Sequence, residues 1–125
     1  MKSWLRKARK LKVLINVMSN HEQVGLALQS LQQVMSNLGH WSESGISINA
    51  LASQQPFCLD TMNFSQWLQF VFIPNIQALI NANQILPRLA KGQGIEPMAI
   101  EFYKNTQADR DILVLIRQLD TLLQG

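Results

Sequence analysis

The stretch that most constrains this chain runs from Phe64 to Ile80. Phe64, Trp67, Leu68, Phe70, Val71, Phe72, Ile73, Ile76, Leu79 and Ile80 almost encircle a helix of that length, and only a strip holding Gln66, Gln77 and Asn81 is consistently polar. A surface helix shows one apolar stripe, whereas a helix apolar nearly all round sits at the centre of a bundle. Asn63, with Gln66 three residues on, has the spacing of a capping box, so the helix is predicted from about Phe64 to Ala82. Pro74 lies inside it, removes the hydrogen bond to the Phe70 carbonyl and is expected to kink the helix there.

Helices also flank this segment. Val24, Ala27, Leu28, Leu31, Val34, Met35 and Leu38 form one stripe between Asn20 and Leu38, opened by a Ser19–Glu22 capping box and closed by Gly39 as C′ residue. Glu96-Pro97 starts a short helix, Pro97–Tyr103, with proline at the favoured first position. A last helix from about Gln107 to Leu123 follows a Thr106-to-Asp109 cap and carries Ile112, Leu115, Ile116, Leu119, Leu122 and Leu123 on one face. Residues 40–57 read as a long connection with a weak turn at Ala50–Ala52, pinned to the bundle by Trp41, Ile46, Ile48 and Leu51. There is no strand signal and no internal repeat. The expected fold is all-α: a compact bundle of about four helices around a kinked, largely buried central helix, with Leu68 and Val71 deep inside it.

Charge divides the chain in two. Six of the 11 basic residues (Lys2, Arg6, Lys7, Arg9, Lys10 and Lys12) fall within the first twelve positions, where there is no acid. The other five face all 8 acids, so the body from Met18 onward is mildly acidic and the basic balance belongs to the first segment alone. In residues 1–17, Trp4, Ala8, Leu11 and Ile15 recur at helical spacing with cations opposite. That is a basic amphipathic pattern, too short to span a membrane and without the apolar run of a secretory signal. Because Met18 precedes a self-contained helix start, residues 1–17 are expected to be an N-terminal extension, or a start-site artefact, outside a single domain of residues 18–125. Nucleic acid binds proteins chiefly through phosphate neutralisation, so direct binding is not expected of residues 18–125.

The chemistry-bearing residues are few. One cysteine excludes an intramolecular disulfide and fits a reducing cytoplasm, and two histidines with that cysteine are too few for the common zinc patterns. Cys58, His40 and Asp60 supply the residue types of a thiol-nucleophile triad, but no family-specific signature surrounds the cysteine. A half-buried structural thiol is the expectation. Asp60 precedes the central helix and is expected to bond local backbone N–H groups; His21 reads as an exposed first-turn residue. Phe57, Phe64, Trp67, Phe70 and Phe72 form an aromatic cluster with no cation between Glu43 and Pro87, which favours core packing over base stacking. No phosphate-cradling glycine loop, dinucleotide fingerprint or HExxH motif is present. No catalytic residue, metal ligand or cofactor is assigned.

Gln55-Pro56-Phe57-Cys58, Asp60-Thr61-Met62, Trp67-Leu68-Gln69 and Phe72-Ile73-Pro74, with the final Leu119-Asp120 and Leu122-Leu123, resemble the signature of the YqcC-like family of small bacterial proteins. The likeness covers roughly Met18 to the C-terminus, and the basic first segment precedes it. It implies a helical bundle in the bacterial cytoplasm and carries no established activity or catalytic residues. Genes of the family often neighbour one for a tRNA pseudouridine synthase, which makes such an enzyme the candidate partner. The functional expectation is a non-enzymatic accessory or protein-interaction domain, with Trp41, Pro56, Phe57, Asp60 and Trp67 as its recognition surface. The alternatives are an RNA-associated protein linked to tRNA modification and, further off, a cysteine-dependent enzyme.

Overall fold

The structure, a computed structural model, describes residues 18–90, 94–104 and 109–124. The extension 1–17, and Thr106 with the Asp109 side chain of the expected cap, therefore lie outside what the structure describes. Helix α1 (Asn20–Asn37) starts as its sequence dictates: Ser19 Oγ accepts the Glu22 N–H at 3.2 Å and the Glu22 carboxylate reaches back to Ser19. At its other end Gly39 takes φ +78°, so that its N–H donates to Ser36 and the His40 N–H to Met35. This is the paired C-terminal closure that only a left-handed C′ residue permits. Val24, Ala27, Leu28, Leu31 and Met35 are buried. Leu38, expected in the same stripe, is 37% exposed, because as the capping residue it leaves helical geometry (φ −94°, ψ 3°).

Helix α2 (Ile48–Leu51) is one turn, capped by Ser47 Oγ on the Ala50 N–H. Gln69 pins the chain just before it. Its side-chain Oε1 accepts the Ser42 N–H at 2.8 Å and its Nε2 donates to the Ser42 carbonyl at 2.7 Å. Thr61 Oγ1 donates to the Ala50 carbonyl at 2.8 Å, holding α2 from the other side. Polar bonds thus do the pinning that apolar residues were expected to do: Trp41 packs on the core, but Ile48 and Leu51 are 84% and 42% exposed.

Helix α3 (Phe64–Trp67), a π turn (Leu68–Phe72) and helix α4 (Ile73–Asn81) follow without interruption as one rod. Asn63 and Gln66 form the predicted capping box. The expected disturbance at Pro74 takes the form of the π turn just before it, with the Ile73 N–H donating five residues back to Leu68. The extra residue in that turn shifts the carbonyl ladder where a straight helix would meet the proline ring. Leu68 is fully buried, but Val71 is only half-buried, because no helix among the described residues covers that side of the rod.

Helix α5 (Glu96–Tyr103) and helix α6 (Asp109–Gln124) complete the bundle, and α1 and α6 pack most extensively on one another. Ile112, Ile116, Leu119 and Leu123 carry the buried face of α6. Tyr103 is fully buried at the end of α5 and shares a 2.7 Å hydrogen bond with Ser65 of the rod. Residues 82–95 connect the rod to α5, and their Leu86 and Ile95 are buried. Among the described residues there is no strand, and no helix is long and apolar enough to cross a membrane.

Candidate functional site

The half-buried side of the rod forms one wall of an apolar cleft of about 440 Å³. Trp67, Val71, Asn75 and Leu79 face it from the rod, Pro87 and Leu89 from the connector, and Pro56 and Phe57 close one end. Phe72, Ile76, Ile95 and Leu123 are buried residues at its base. Among the described residues of this lining, Asn75 is the one polar side chain apart from the Trp67 indole. A concave apolar surface with so few polar groups offers burial and shape.

Its closed end depends on an unusual backbone. Phe57 and Cys58 both adopt left-handed conformations, with φ of 56° and 51°. Each such non-glycine residue costs on the order of 1–2 kcal/mol. Packing offsets this: the Phe57 ring meets Trp67 edge-on at 4.8 Å and lies 6.0 Å from Phe64, while the Cys58 side chain is buried. Turn bonds from Cys58 N–H to Gln55 and from Leu59 N–H to Pro56 hold the reversal. The effect is to aim Phe57 at Trp67 across the end of the cleft.

The opposite wall is stapled to α6 at two points. The Leu89 N–H donates to the Leu123 carbonyl at 2.9 Å. Asp120, nearly buried, accepts the Ile95 N–H on Oδ1 at 2.9 Å and the Glu96 N–H on Oδ2 at 2.8 Å. The carboxylate thereby caps the first turn of α5 from a neighbouring helix, where the dipole favours negative charge. The Glu96 side chain in turn pairs with Arg117 Nε at 2.6 Å, an exposed contact of small energetic weight. Asp120, Leu89 and Pro87 were not singled out as site residues from sequence. The available signal was an acid set directly beside the apolar stripe of the last helix.

Of the five residues expected to form a recognition surface, the structure brings Pro56, Phe57 and Trp67 together at the cleft. Trp41 lines a different hollow of about 220 Å³, beside His40, Ser42, Ser65 and Phe102. Asp60 lies exposed on the turn, where it accepts a hydrogen bond from Ser53 Oγ; its partner is this hydroxyl and not the backbone N–H groups expected. The triad residues stay apart in their contacts. The His40 ring packs edge-on against Tyr103 at 5.2 Å, Asp60 serves Ser53, and Cys58 is buried at 7% exposure, more deeply than expected. His21, expected in solvent, is half-buried, with Nε2 2.6 Å from the Gln84 carbonyl oxygen, and fastens the start of α1 to the connector. Among the described residues no cluster of His, Cys, Asp or Glu is grouped to hold a metal ion.

Fold and cleft together define a small all-α bundle that presents a preformed apolar surface. A family model described as tRNA pseudouridine synthase C (DUF446) matches residues 23–122. The chain belongs to this family, whose YqcC-like members it resembles in sequence and in structure. An uncharacterized protein of Haemophilus influenzae is 40% identical over 76 residues, 60% of this chain and 72% of that protein. YqcC of Escherichia coli is 37% identical over 70 residues, 56% of this chain and 64% of its own length. The solution structure of YqcC superposes with a TM-score of 0.72 at 31% identity, covering 86% of this chain and 91% of that one. A Pectobacterium carotovorum protein named tRNA pseudouridine synthase C is 35% identical over 71 residues, 57% of this chain but only 19% of that protein.

Proposed function

We propose that this chain is a non-enzymatic docking domain that binds a tRNA pseudouridine synthase through the cleft between the rod and the wall of Pro87, Leu89 and Ile95. The observation that carries the reading is the cleft itself: half-exposed Trp67, Val71 and Leu79 stand in a concave surface whose described lining is apolar but for Asn75. Water gains little from such a surface, and burying it against a partner is favourable at roughly 25 cal/mol per Å² before the costs of association. Aromatic anchors in a concave apolar patch are the usual centre of a protein interface.

The choice of a tRNA pseudouridine synthase as the partner follows from the family resemblance, and one relative supports it. The match to the Pectobacterium synthase occupies 19% of that protein, so a segment like this domain belongs to a much longer chain bearing the enzyme's name. Where the two are separate chains, a docking surface keeps them together. In this reading the domain contributes no group to the reaction and acts on the synthase by contact.

Calorimetric titration of the full chain with the tRNA pseudouridine synthase C of the same organism tests this. Val71→Glu and Leu79→Glu place a charge on the cleft wall at half-exposed positions, and each should weaken binding by on the order of tenfold or more. Val114→Glu, at a 60% exposed site outside the cleft, should bind as the parent does. No measurable heat at micromolar concentrations, or undiminished binding by both cleft variants, would contradict the proposal.

A further inference from the structure

Along the cleft wall the rod's contribution repeats every four residues: Trp67, Val71, Asn75 and Leu79. An uninterrupted α-helix cannot hold such a repeat in line. At about 100° per residue each step of four drifts by about 40°, and the three steps together by about 120°. The π turn at Leu68–Phe72 sets one extra residue into its turn and so takes back about 100° of rotation. A drift of about 20° is left, and the four residues stand in one nearly straight row, about 18 Å long at helical rise. Asn75, third in the row, is exposed, and among the described residues nothing bonds its side-chain amide.

We propose that the cleft takes its partner as an extended segment lying along this row, with one backbone peptide group of the segment paired to the Asn75 amide. A primary amide presents a donor and an acceptor side by side, the complement of a peptide N–H and C=O. A helix spends those groups on its own bonds, whereas an extended chain keeps them free for a neighbour. A helical occupant would therefore bury the Asn75 amide against side chains and leave it unpaired, which costs binding. The spacing also fits: alternate residues of an extended chain recur about every 6.6 Å, and successive members of the row lie about 6 Å apart. Apolar side chains on one edge of the segment then meet Trp67, Val71 and Leu79 in turn. This inference rests on the docking reading above and adds to it the conformation of the occupant and Asn75 as the residue that selects it.

Two measurements on the full chain with the tRNA pseudouridine synthase C of the same organism test it. In the first, photo-leucine replaces Val71 in one sample and Leu79 in another, and the crosslinked synthase residues are mapped by peptide mass spectrometry. Val71 and Leu79 lie about 12 Å apart along the rod, which an extended chain spans in about four residues and a helix in about eight. Crosslinks about three to five synthase residues apart are expected, and any wider spacing overturns the extended segment. In the second, calorimetry compares Asn75→Leu with the parent. Loss of the paired peptide group should weaken binding by on the order of tenfold. Equal or tighter binding, as a helix laid on a wholly apolar row would give, overturns the selection by Asn75. With either of those outcomes the docking reading still stands. If neither photo-leucine sample crosslinks the synthase, the docking reading itself fails and this inference falls with it.

Discussion

A Cβ atom on residue 94 would overlap the carboxylate of Asp120, so Gly94 and Asp120 occupy what is sterically one site. The carboxylate cannot swing aside cheaply, because it is nearly buried and bonded to the Ile95 and Glu96 N–H groups. Asp120→Ala should cost about 2–4 kcal/mol, since it removes two charge-assisted bonds and leaves buried donors unpaired. Gly94→Ala should cost about 1–3 kcal/mol through the clash. In the double variant the clash is gone, so the two losses should fall well short of additive in a denaturation cycle. Additive losses would mean the two residues act independently.

Leu68 and Val71 are adjacent turns of one rod with opposite surroundings. Leu68 is fully buried, and Leu68→Ala should destabilise by about 2–5 kcal/mol through the cavity it leaves. Val71 faces the cleft and is half-exposed, so Val71→Ala should cost under about 1.5 kcal/mol. Equal costs in chemical denaturation would contradict the uncovered face.

Tyr103 is the single tyrosine, so an absorbance titration reads it alone. Burial, the larger influence, pushes its phenol above the ordinary value of 10.0, while the hydrogen bond with Ser65 draws it partly back. The folded state then keeps the proton after the unfolded chain has lost it. Stability present below pH 10 should fall as pH rises through the folded pKa, and Tyr103→Phe should flatten that decline. Ser65→Ala should move the titration higher still. A native midpoint at or below the ordinary value would contradict this burial.

Residues 18–125 should bind tRNA weakly or not at all at physiological salt. Five cations face eight acids there, and phosphate neutralisation supplies most nucleic-acid affinity. Binding by the full chain should disappear with residues 1–17 and fall steeply with added salt in an anisotropy titration. Tight, salt-resistant binding by residues 18–125 would make the protein an RNA-recognition domain.

What was legible in the sequence was local. The Ser19–Glu22 and Asn63–Gln66 boxes and the closing Gly39 act within a few residues, and each formed as its spacing implied. The tertiary arrangement depended on partners far apart in the chain: Gln69 with Ser42 at a separation of 27, Asp120 with Ile95 at 25, and Ser65 with Tyr103 at 38. No local pattern encodes such pairs. Pro56, Phe57 and Trp67 stand out in the sequence as aromatics near a proline turn, and the structure places them at one cleft, whereas Pro87 and Leu89 read as connector. Val71 was misplaced because apolar periodicity shows which faces are able to be buried, not which ones find a neighbour.

The claim that the cleft is the docking surface is tested most directly by methyl NMR of the isotope-labelled full chain, titrated with the synthase. Val71, Leu79 and Leu89 line the cleft, whereas Leu113 and Val114 line a separate hollow on α6. The account predicts that the methyl signals of Val71, Leu79 and Leu89 shift or broaden first, while those of Leu113 and Val114 stay in place. Perturbation confined to Leu113 and Val114, with the cleft methyls silent at saturation, would contradict it.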